Sequence, residues 1–372
     1  MMEYVSLEKV CDILDSQRIP ITASERKKGM YPYFGANGIQ DYVADFIFDD
    51  ELVLLAEDGG NFGLKDRPIA YRVSGKCWVN NHAHVLKPKE CIDVDYLCYS
   101  LMFYDTTGIV NGATRQKLTQ TAMRQMTIPL VSLDEQKDIV LKLNKVECLI
   151  SQRKQQLSKF DELVKARFVE MFGNILCDNN LPLVQLKELA DVGSSKRIYA
   201  NEYVESGVPF YRSKEIRELG TGLKPSVELF IKQEHYDVIK AKYGVPKKGD
   251  ILIAAIGATI GYSWIVDNDK PFYYKDGNLI ILSTKDNVNP IFLNHAMGIL
   301  IGDFKNKGVV GSAQLALTIE KLEKMMVVNP SINSQNQFAA FVKQIDKSKL
   351  VIQQSLEKLE TLKKSLMQQY FG

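Results

Sequence analysis

The chain has 372 residues, 45% of them hydrophobic and 25% charged, with a net charge of +2. That is material for two or three domains with ordinary cores; it excludes a globally basic nucleic-acid coat, although a neutral total can hide basic patches. No apolar core follows Met1-Met2-Glu3-Tyr4-Val5 and no run approaches a membrane span, so a soluble protein without membrane contact is expected.

Residues 1–130 read as a first variable unit. Val5 to Ile13 is a short helix or strand lead-in, followed by a polar loop around Arg18 and the basic cluster Arg26-Lys27-Lys28. Tyr31 to Gly38 is aromatic and turn-rich. Phe46-Ile47-Phe48 and Leu52-Val53-Leu54-Leu55-Ala56 read as two buried strands bounded by Asp and Gly turns, with a tight loop from Glu57 to Asn61. Tyr71-Arg72-Val73 and Trp78 to Leu86 continue the β pattern, and Asp95 to Tyr104 is predicted helical. A glycine-punctuated basic loop, Gly108 to Lys117, leads into a short helix and Ile128-Pro129.

Residues 131–173 read as one long helix. Ser132 with Glu135 three positions on has the form of a capping box. Ile139, Leu143, Val146, Ile150, Leu157, Phe160 and Val164 then step by heptads, with Arg153 breaking the seam. Gly173 supplies a left-handed stop.

The second variable unit, 174–330, keeps the same order of parts. Leu183 to Val192 matches the opening, Leu186 lying 179 positions after Leu7. There follow the loop Gly193 to Arg197, the segment Val208 to Lys214, a buried strand from Asp250 to Ile256, the turn Gly257 to Gly261, a helix around Pro290 to Ile301, and an exit loop from Gly308 to Gln314. Residues 331–372 are a second long helix. Phe338, Val342, Ile345, Ile352, Leu356 and Leu359 form its seam, and Lys349 breaks it.

The two long segments are one repeat. Ser132 and Ser331, Gln136 and Gln335, and Gly173 and Gly372 each lie 199 positions apart, as do Leu118 and Leu317. The openings are offset by only 179, leaving 20 additional residues inside the second unit. A shared frame with a divergent middle reads as two readers of one fold with different specificities. Each seam needs a partner, and the obvious one is the other copy. The heptads leave the orientation open, while a pseudo-twofold between tandem repeats favours an antiparallel pair.

Variable unit, long helix, variable unit, long helix resembles the specificity subunit of type I restriction–modification systems along essentially the whole chain. Ile128-Pro129-Leu130 through Leu133-Asp134-Glu135-Gln136-Lys137-Asp138-Ile139-Val140 is similar to the start of that family's first conserved region. Tyr31 to Ile39, with Trp78 to Val85, resembles one common type of target recognition domain, and Phe172-Gly173 and Phe371-Gly372 look like the family's helix ends. The second helix departs from the pattern, with Asn333-Ser334-Gln335 where Asp-Glu-Gln or Glu-Glu-Gln is usual, which weakens its capping box.

The resemblance implies an α+β protein. Two target recognition domains, mixed α/β with a mainly β core, would be separated and followed by long helices forming an antiparallel coiled coil in a pseudo-twofold repeat. Each domain would read one half of an asymmetric bipartite target in double-stranded DNA. The helices would set the spacing and dock two methyltransferase (modification) subunits and two restriction (motor/endonuclease) subunits. This chain would then be the non-catalytic part of a site-specific adenine methyltransferase and ATP-dependent endonuclease. S-adenosylmethionine, ATP and Mg would sit on the partners, and no cofactor on this chain. A bacterial or archaeal cytoplasm, at the nucleoid, is the expected setting.

Catalytic signatures are missing from the sequence. Asn289-Pro290-Ile291-Phe292 only brushes the Asn-Pro-Pro-Tyr/Phe motif of adenine methyltransferases, and no phosphate loop ends in Gly-Lys-Ser/Thr. His82 and His84 with Cys77, Cys91 and Cys98 fit no usual zinc spacing. The six cysteines, which also include Cys11, Cys148 and Cys177, read as reduced thiols. Asn80-Asn81-His82 lacks the second histidine and metal ligands of a nuclease.

Phosphate contacts need Lys, Arg or backbone donors, and base edges need Arg, Asn, Gln, Ser or Thr on loops. The candidates are Arg18, Lys27, Lys28, Tyr33, Asn37, Asn61, Arg115 and Lys117 in the first unit. In the second they are Ser195, Lys196, Arg197, Tyr211, Arg212, Lys214, Thr259 and Gln314. The rival from another class is a coiled-coil scaffold with two protein-binding variable domains.

Overall fold

A computed structural model describes residues 3–64, 66–112, 116–176, 181–307 and 316–372. Two units emerge, and they do not follow chain order: Met1–Gln155 with Gln353–Gly372, and Gln156–Ile352.

The first unit opens with β1 (Glu3–Ser6), α1 (Leu7–Val10) and β2 (Cys11–Ile13). Then come β3 (Lys28–Gly35), β4 (Gly38–Val43), β5 (Phe48–Ala56), β6 (Ala70–Val79) and β7 (Ala83–Pro88). The helices α2 (Val94–Met102) and α3 (Gln120–Gln125), then β8 (Thr127–Leu130), lead into α4 (Leu133–Phe172). Six strands form one sheet in the order β2-β7-β5-β6-β3-β4, antiparallel except where Tyr33 and Phe34 of β3 run parallel to Trp78 and Val79 of β6. The central strand β5 is buried on both faces. Val53 and Leu55 join the core that also takes in Ile139, Val140 and Leu143 of α4, while Leu52 and Leu54 face a second core with Phe34, Phe48 and Val85.

The second unit repeats the opening as β9 (Leu183–Gln185), α5 (Leu186–Leu189) and β10 (Ala190–Gly193). It continues with β11 (Tyr203–Val204), β12 (Val208–Tyr211), α6 (Ser213–Gly220), β13 (Phe230–Ile231) and α7 (Gln233–Tyr243). Next are β14 (Ile251–Ala254), β15 (Ser263–Ile265), β16 (Tyr273–Tyr274) and β17 (Leu279–Thr284). The unit ends with α8 (Pro290–Lys307), α9 (Ile319–Glu323), β18 (Met326–Val328) and the start of α10 (Ile332–Phe371). Eight of its strands make two four-stranded sheets, β10-β17-β14-β15 and β11-β13-β12-β16, and β9 pairs with β18. Here β14 plays the part of β5: Ile251 and Ile253 face the core that holds Phe168, Phe172 and Phe338, and Leu252 and Ala254 face the other sheet's core.

Within each unit, segments of α4 and α10 run antiparallel. In the first, Glu147 pairs with Lys363 and Lys154 with Glu360, and Phe371 meets Tyr96 edge-on at 5.2 Å. In the second, Asp161 pairs with Lys349, and Phe168 and Phe172 meet Phe338 edge-on at 5.3 and 5.7 Å. Of the predicted seam, Ile139, Leu143, Val146, Phe338, Val342 and Ile345 are buried, and Ile150, Leu157, Phe160, Ile352, Leu356 and Leu359 half-buried. Burial is deepest where the helices lie on a domain core, so the pair is both a coiled coil and part of two domain cores.

The helix starts differ from the expected capping box. Ser132 accepts the Glu135 N–H at 3.4 Å, but among the described residues no bond returns from the Glu135 carboxylate. Gln136 does the holding instead. Fully buried, it donates to the carbonyls of Val131 (2.8 Å) and Cys91 (3.1 Å) and accepts the N–H of Asp93, the N-cap of α2 (2.8 Å). Gln335 repeats this, donating to Pro330 O (2.9 Å) and accepting the Asn289 N–H ahead of α8 (2.8 Å). With the amide as latch, the third position is free to vary. Ser334 stands where the first helix has Glu135, and Ser331 still accepts its N–H at 3.3 Å.

Three other local expectations change. Tyr31 to Gly38 is not a turn region: it is mostly β3, whose hairpin with β4 turns at Ala36-Asn37. Phe48 to Ala56 is one strand without an intervening turn, because Asp50 pairs across to Lys87 at 2.7 Å. The helices α6 and α7 have no counterpart among the expected elements. Gly173 takes the left-handed conformation (φ 71°) that its place after α4 requires. No described helix is long and apolar enough to cross a membrane.

Candidate nucleic-acid interface

In the first unit the loops that follow β2, β5 and β6 and the exit loop meet in a buried ionic cluster. His84 on β7 places Nδ1 2.7 Å from Asp15 and Nε2 2.9 Å from the Leu118 carbonyl. Arg18 reaches Glu57 and the Ala83 carbonyl, both at 2.7 Å, and Lys117 reaches Glu57 at 3.1 Å. Burial opposes ionisation of Asp15, but hydrogen bonds from His84, Val85 and Gln120 outweigh it and hold the carboxyl below its ordinary range. Asp15, Glu57 and His84 are the one group of three described residues whose ligand atoms converge as a metal site would need. Their carboxylates already face the Arg18 and Lys117 cations, and the set is not the His82, His84 and cysteine group considered from sequence. His82 bonds Asp58 at 2.6 Å. The described cysteines are free thiols; burial pushes Cys11, Cys77 and Cys98 up to about 12. Cys177 lies outside the described residues.

The candidate contacts of this unit therefore differ in availability. Arg18 is committed to the cluster with its side chain only 12% exposed, and Lys117 is tethered to Glu57. Tyr33 is buried, its hydroxyl on the Ile21 carbonyl and the Arg26 guanidinium 4.1 Å from its ring centroid, so no ring face is open to a base. Asn37 and Asn61 brace loops through the carbonyls of Gly59 (3.0 Å) and Pro68 (3.2 Å). Lys27 and Lys28 are exposed and, among the described residues, unpaired. Arg115 lies outside the described residues.

Acidic partners also tie the second unit's candidates. Arg197 bonds Asp276 at 2.7 Å. Arg212 bridges Glu215 and Glu228, each at 2.9 Å, and Lys214 bonds the same Glu228 at 2.7 Å. Hydrogen bonds from Lys214 and Arg212 hold Glu228 down at about 2. Tyr211 is half-buried and stacked on Phe272 at 4.8 Å. Thr259 bonds the Ile256 carbonyl at 3.3 Å, and Ser195 is half-buried. The Lys196 backbone N–H donates to the Tyr273 hydroxyl (2.7 Å), leaving its ammonium over Tyr243. Gln314 lies outside the described residues. Thr119 and Thr318, equivalent in the repeat, cap α3 and α9. Asn289, part of the near-methyltransferase motif, caps α8 and is structural.

A family model described as the type I restriction modification DNA specificity domain matches residues 1–159 and again 181–361. The chain belongs to the type I restriction–modification specificity family. It carries two DNA specificity domains, and as a specificity subunit it is the non-catalytic member of such a system. It is 31% identical to a putative type I restriction enzyme specificity subunit of Haemophilus influenzae, covering 98% of this chain and 89% of that one. Among solved structures, its fold is similar to the type I S subunit from M. genitalium, with a TM-score of 0.61 at 15% identity over 100% of this chain and 96% of the other. It is also similar to a chain from a structure of type I complex assembly and conformational transition, with a TM-score of 0.57 at 17% identity over 99% and 97%. The mixed α/β fold with two specificity domains and long helices is that of this family.

Proposed function

We propose that each domain reads one half of an asymmetric, two-part target in duplex DNA, with α4 and α10 as the spacer that holds the halves at a fixed separation. The observation that carries this is the ungapped 199-residue repeat of two 40-residue helices, joined to domains that share a frame and differ in their middles. Forty helical residues at ~1.5 Å each make a rod of roughly 60 Å. A turn of B-DNA rises ~34–36 Å, so such a rod suits half-sites more than one turn apart. The same helices would dock two methyltransferase and two restriction subunits, which carry S-adenosylmethionine, ATP and Mg, in the cytoplasm of a bacterium or archaeon.

The test is to co-express the chain with its methyltransferase partner and map methyladenine by long-read sequencing. Replacing residues 1–130 by those of a relative is expected to change one half of the methylated motif and leave the other intact. If both halves stay unchanged, the assignment fails. Purified complex that shows neither sequence preference nor salt-sensitive DNA binding would return the chain to a protein-binding scaffold. A heptad inserted into both helices should lengthen the unread gap or abolish recognition, without altering the bases read.

A further inference from the structure

We infer that the last turn of α7 and the loop after it (Lys240, Lys242, Tyr243, Lys247 and Lys248) form, together with Lys196, a face of the second domain that contacts duplex DNA phosphates. The inference rests on the DNA-reading role proposed above and names a surface that performs it.

The cations singled out by sequence in this domain are largely spoken for: Asp276 holds Arg197, and Glu215 and Glu228 hold Arg212 and Lys214. Around the end of α7 the balance reverses. Lys240, Lys242, Lys247 and Lys248 are exposed, and among the described residues none has an ion-pair partner. No acidic residue lies between Asp237 and Asp250. Lysines in the last turn would offset the negative end of the helix, which accounts for Lys240 and Lys242. Lys247 and Lys248 lie beyond Gly244, where the chain has left the helix with φ 78°, and the dipole does not explain them.

Geometry joins these lysines to the loop before Ile198. The ring of Tyr243, 52% exposed, has the Lys242 ammonium 5.3 Å and the Lys196 ammonium 5.5 Å from its centroid. Two basic segments distant in sequence thus meet at one tyrosine, with Lys240, Lys247 and Lys248 close along the chain. The base of the patch is firm, since Tyr236 and Ile239 anchor α7 in the core and Tyr273 holds the Lys196 backbone. Its heads are free. Lysine is a mobile point charge suited to phosphate rather than to bidentate reading of a base. The patch should therefore add affinity without choosing sequence. Between β3 and β5 the first domain has only the strand β4, so this face is particular to the second half-site.

The test uses the full chain and a labelled duplex of arbitrary sequence, with binding followed by anisotropy across a salt series. Substituting K242Q, K247Q and K248Q together is expected to flatten the slope of log affinity on log salt by about 0.9 for each phosphate no longer neutralised, about two to three in all. Affinity at low salt should fall at least about tenfold, with the thermal unfolding midpoint unchanged. Tyr243→Phe keeps the ring face and should bind as the parent does, whereas Tyr243→Ala should weaken binding about two- to fivefold. An unchanged slope in the triple variant overturns the proposal. So does an equal flattening from K137Q, K145Q and K159Q on α4, which would mean that net charge alone is at work. A parent chain that binds no duplex at any salt overturns the DNA reading itself, and this surface with it.

Discussion

In the first domain β6 runs unbroken for ten residues, pairing with β5 along its length and with β3 at its end. The corresponding stretch of the second domain is cut into β15 and β16, with Asp267-Asn268-Asp269-Lys270-Pro271 between them. The parallel pairing with β3 survives as the pairing of β12 with β16, Phe210 beside Tyr273 and Tyr211 beside Tyr274. One six-stranded sheet thus becomes two of four strands, with the additional α6 lying mainly against β14 and β15 and α7 set into the core that the two sheets share. The parts that touch the long helices are alike in both domains: the β–α–β opening, the glutamine latch and the threonine-capped exit. Difference is concentrated on the opposite face of the sheet.

The largest effect should come from the helix-facing cores, whose frame is shared but whose side chains differ. The second is aromatic: Phe168 stacks on Phe292 at 5.8 Å and meets Phe172 and Phe338 edge-on. In the first, Leu143 shares its core with Ile139 and Val140 of the same helix and with Tyr96 and Tyr99 of α2. Phe168→Ala should cost about 3–5 kcal/mol and Leu143→Ala about 3 kcal/mol, each measured by denaturant unfolding. If the units differ as described, calorimetry should show each variant depressing a different transition. A single shared loss would erase the distinction.

The latches come next. Gln136→Leu strands three backbone groups and should cost about 3 kcal/mol, while Gln335→Leu strands two and should cost about 2 kcal/mol. Equal losses would mean that the extra bond to the Cys91 carbonyl contributes nothing.

A titration separates the same two helices. His295 lies six residues after Asn289 as Tyr99 lies six after Asp93, and both face the long helices: Tyr99 bonds Asn144 at 2.6 Å, and His295 meets Phe338 edge-on at 5.3 Å. Burial, aided by the nearby Lys349 charge, pulls His295 down to about 4 from 6.5, whereas burial pushes Tyr99 up. In the window between those two values the unfolded chain binds a proton that the folded one refuses, so stability falls as pH falls. The second unit should lose about 2 kcal/mol from about pH 7 to about pH 5, and His295→Phe should remove that loss. A pH dependence unchanged by His295→Phe would assign it elsewhere. Smallest of all, Glu228→Gln should release Lys214, leave Arg212 held by Glu215 alone, and raise duplex affinity about twofold at low salt, without altering the unfolding midpoint. A lower affinity would mean that Glu228 positions these cations rather than withholding them.

The long helices are legible because a heptad repeated without a gap is a signal carried wholly along the chain. Strand β5 reads as two pieces because Asp49-Asp50 looks like a turn until Lys87, far off in sequence, is seen to answer Asp50. The α6 helix buries only Glu215 and Ile216, too few positions to show a period. Basic loops can be located from sequence, but their availability cannot. Glu57 commits Arg18 and Glu228 commits Arg212 and Lys214 only once the sheet has formed. The latch does leave a trace, in Gln136 and Gln335 at the same offset as the caps; beside a Ser and a Glu it passes for the edge of a capping box, and only burial reveals it as the group that does the holding.

The two-sided burial of β5 and β14 has a consequence for how such a protein can change. Neighbouring residues on these strands face different cores: Val53 and Leu55, or Ile251 and Ile253, the core shared with the long helices, and Leu52 and Leu54, or Leu252 and Ala254, the core that differs between the domains. Odd positions pack on the common frame, and even ones on the part that varies. A substitution at an even position can thus reshape the second core of either domain while the packing on the long helices stays in place.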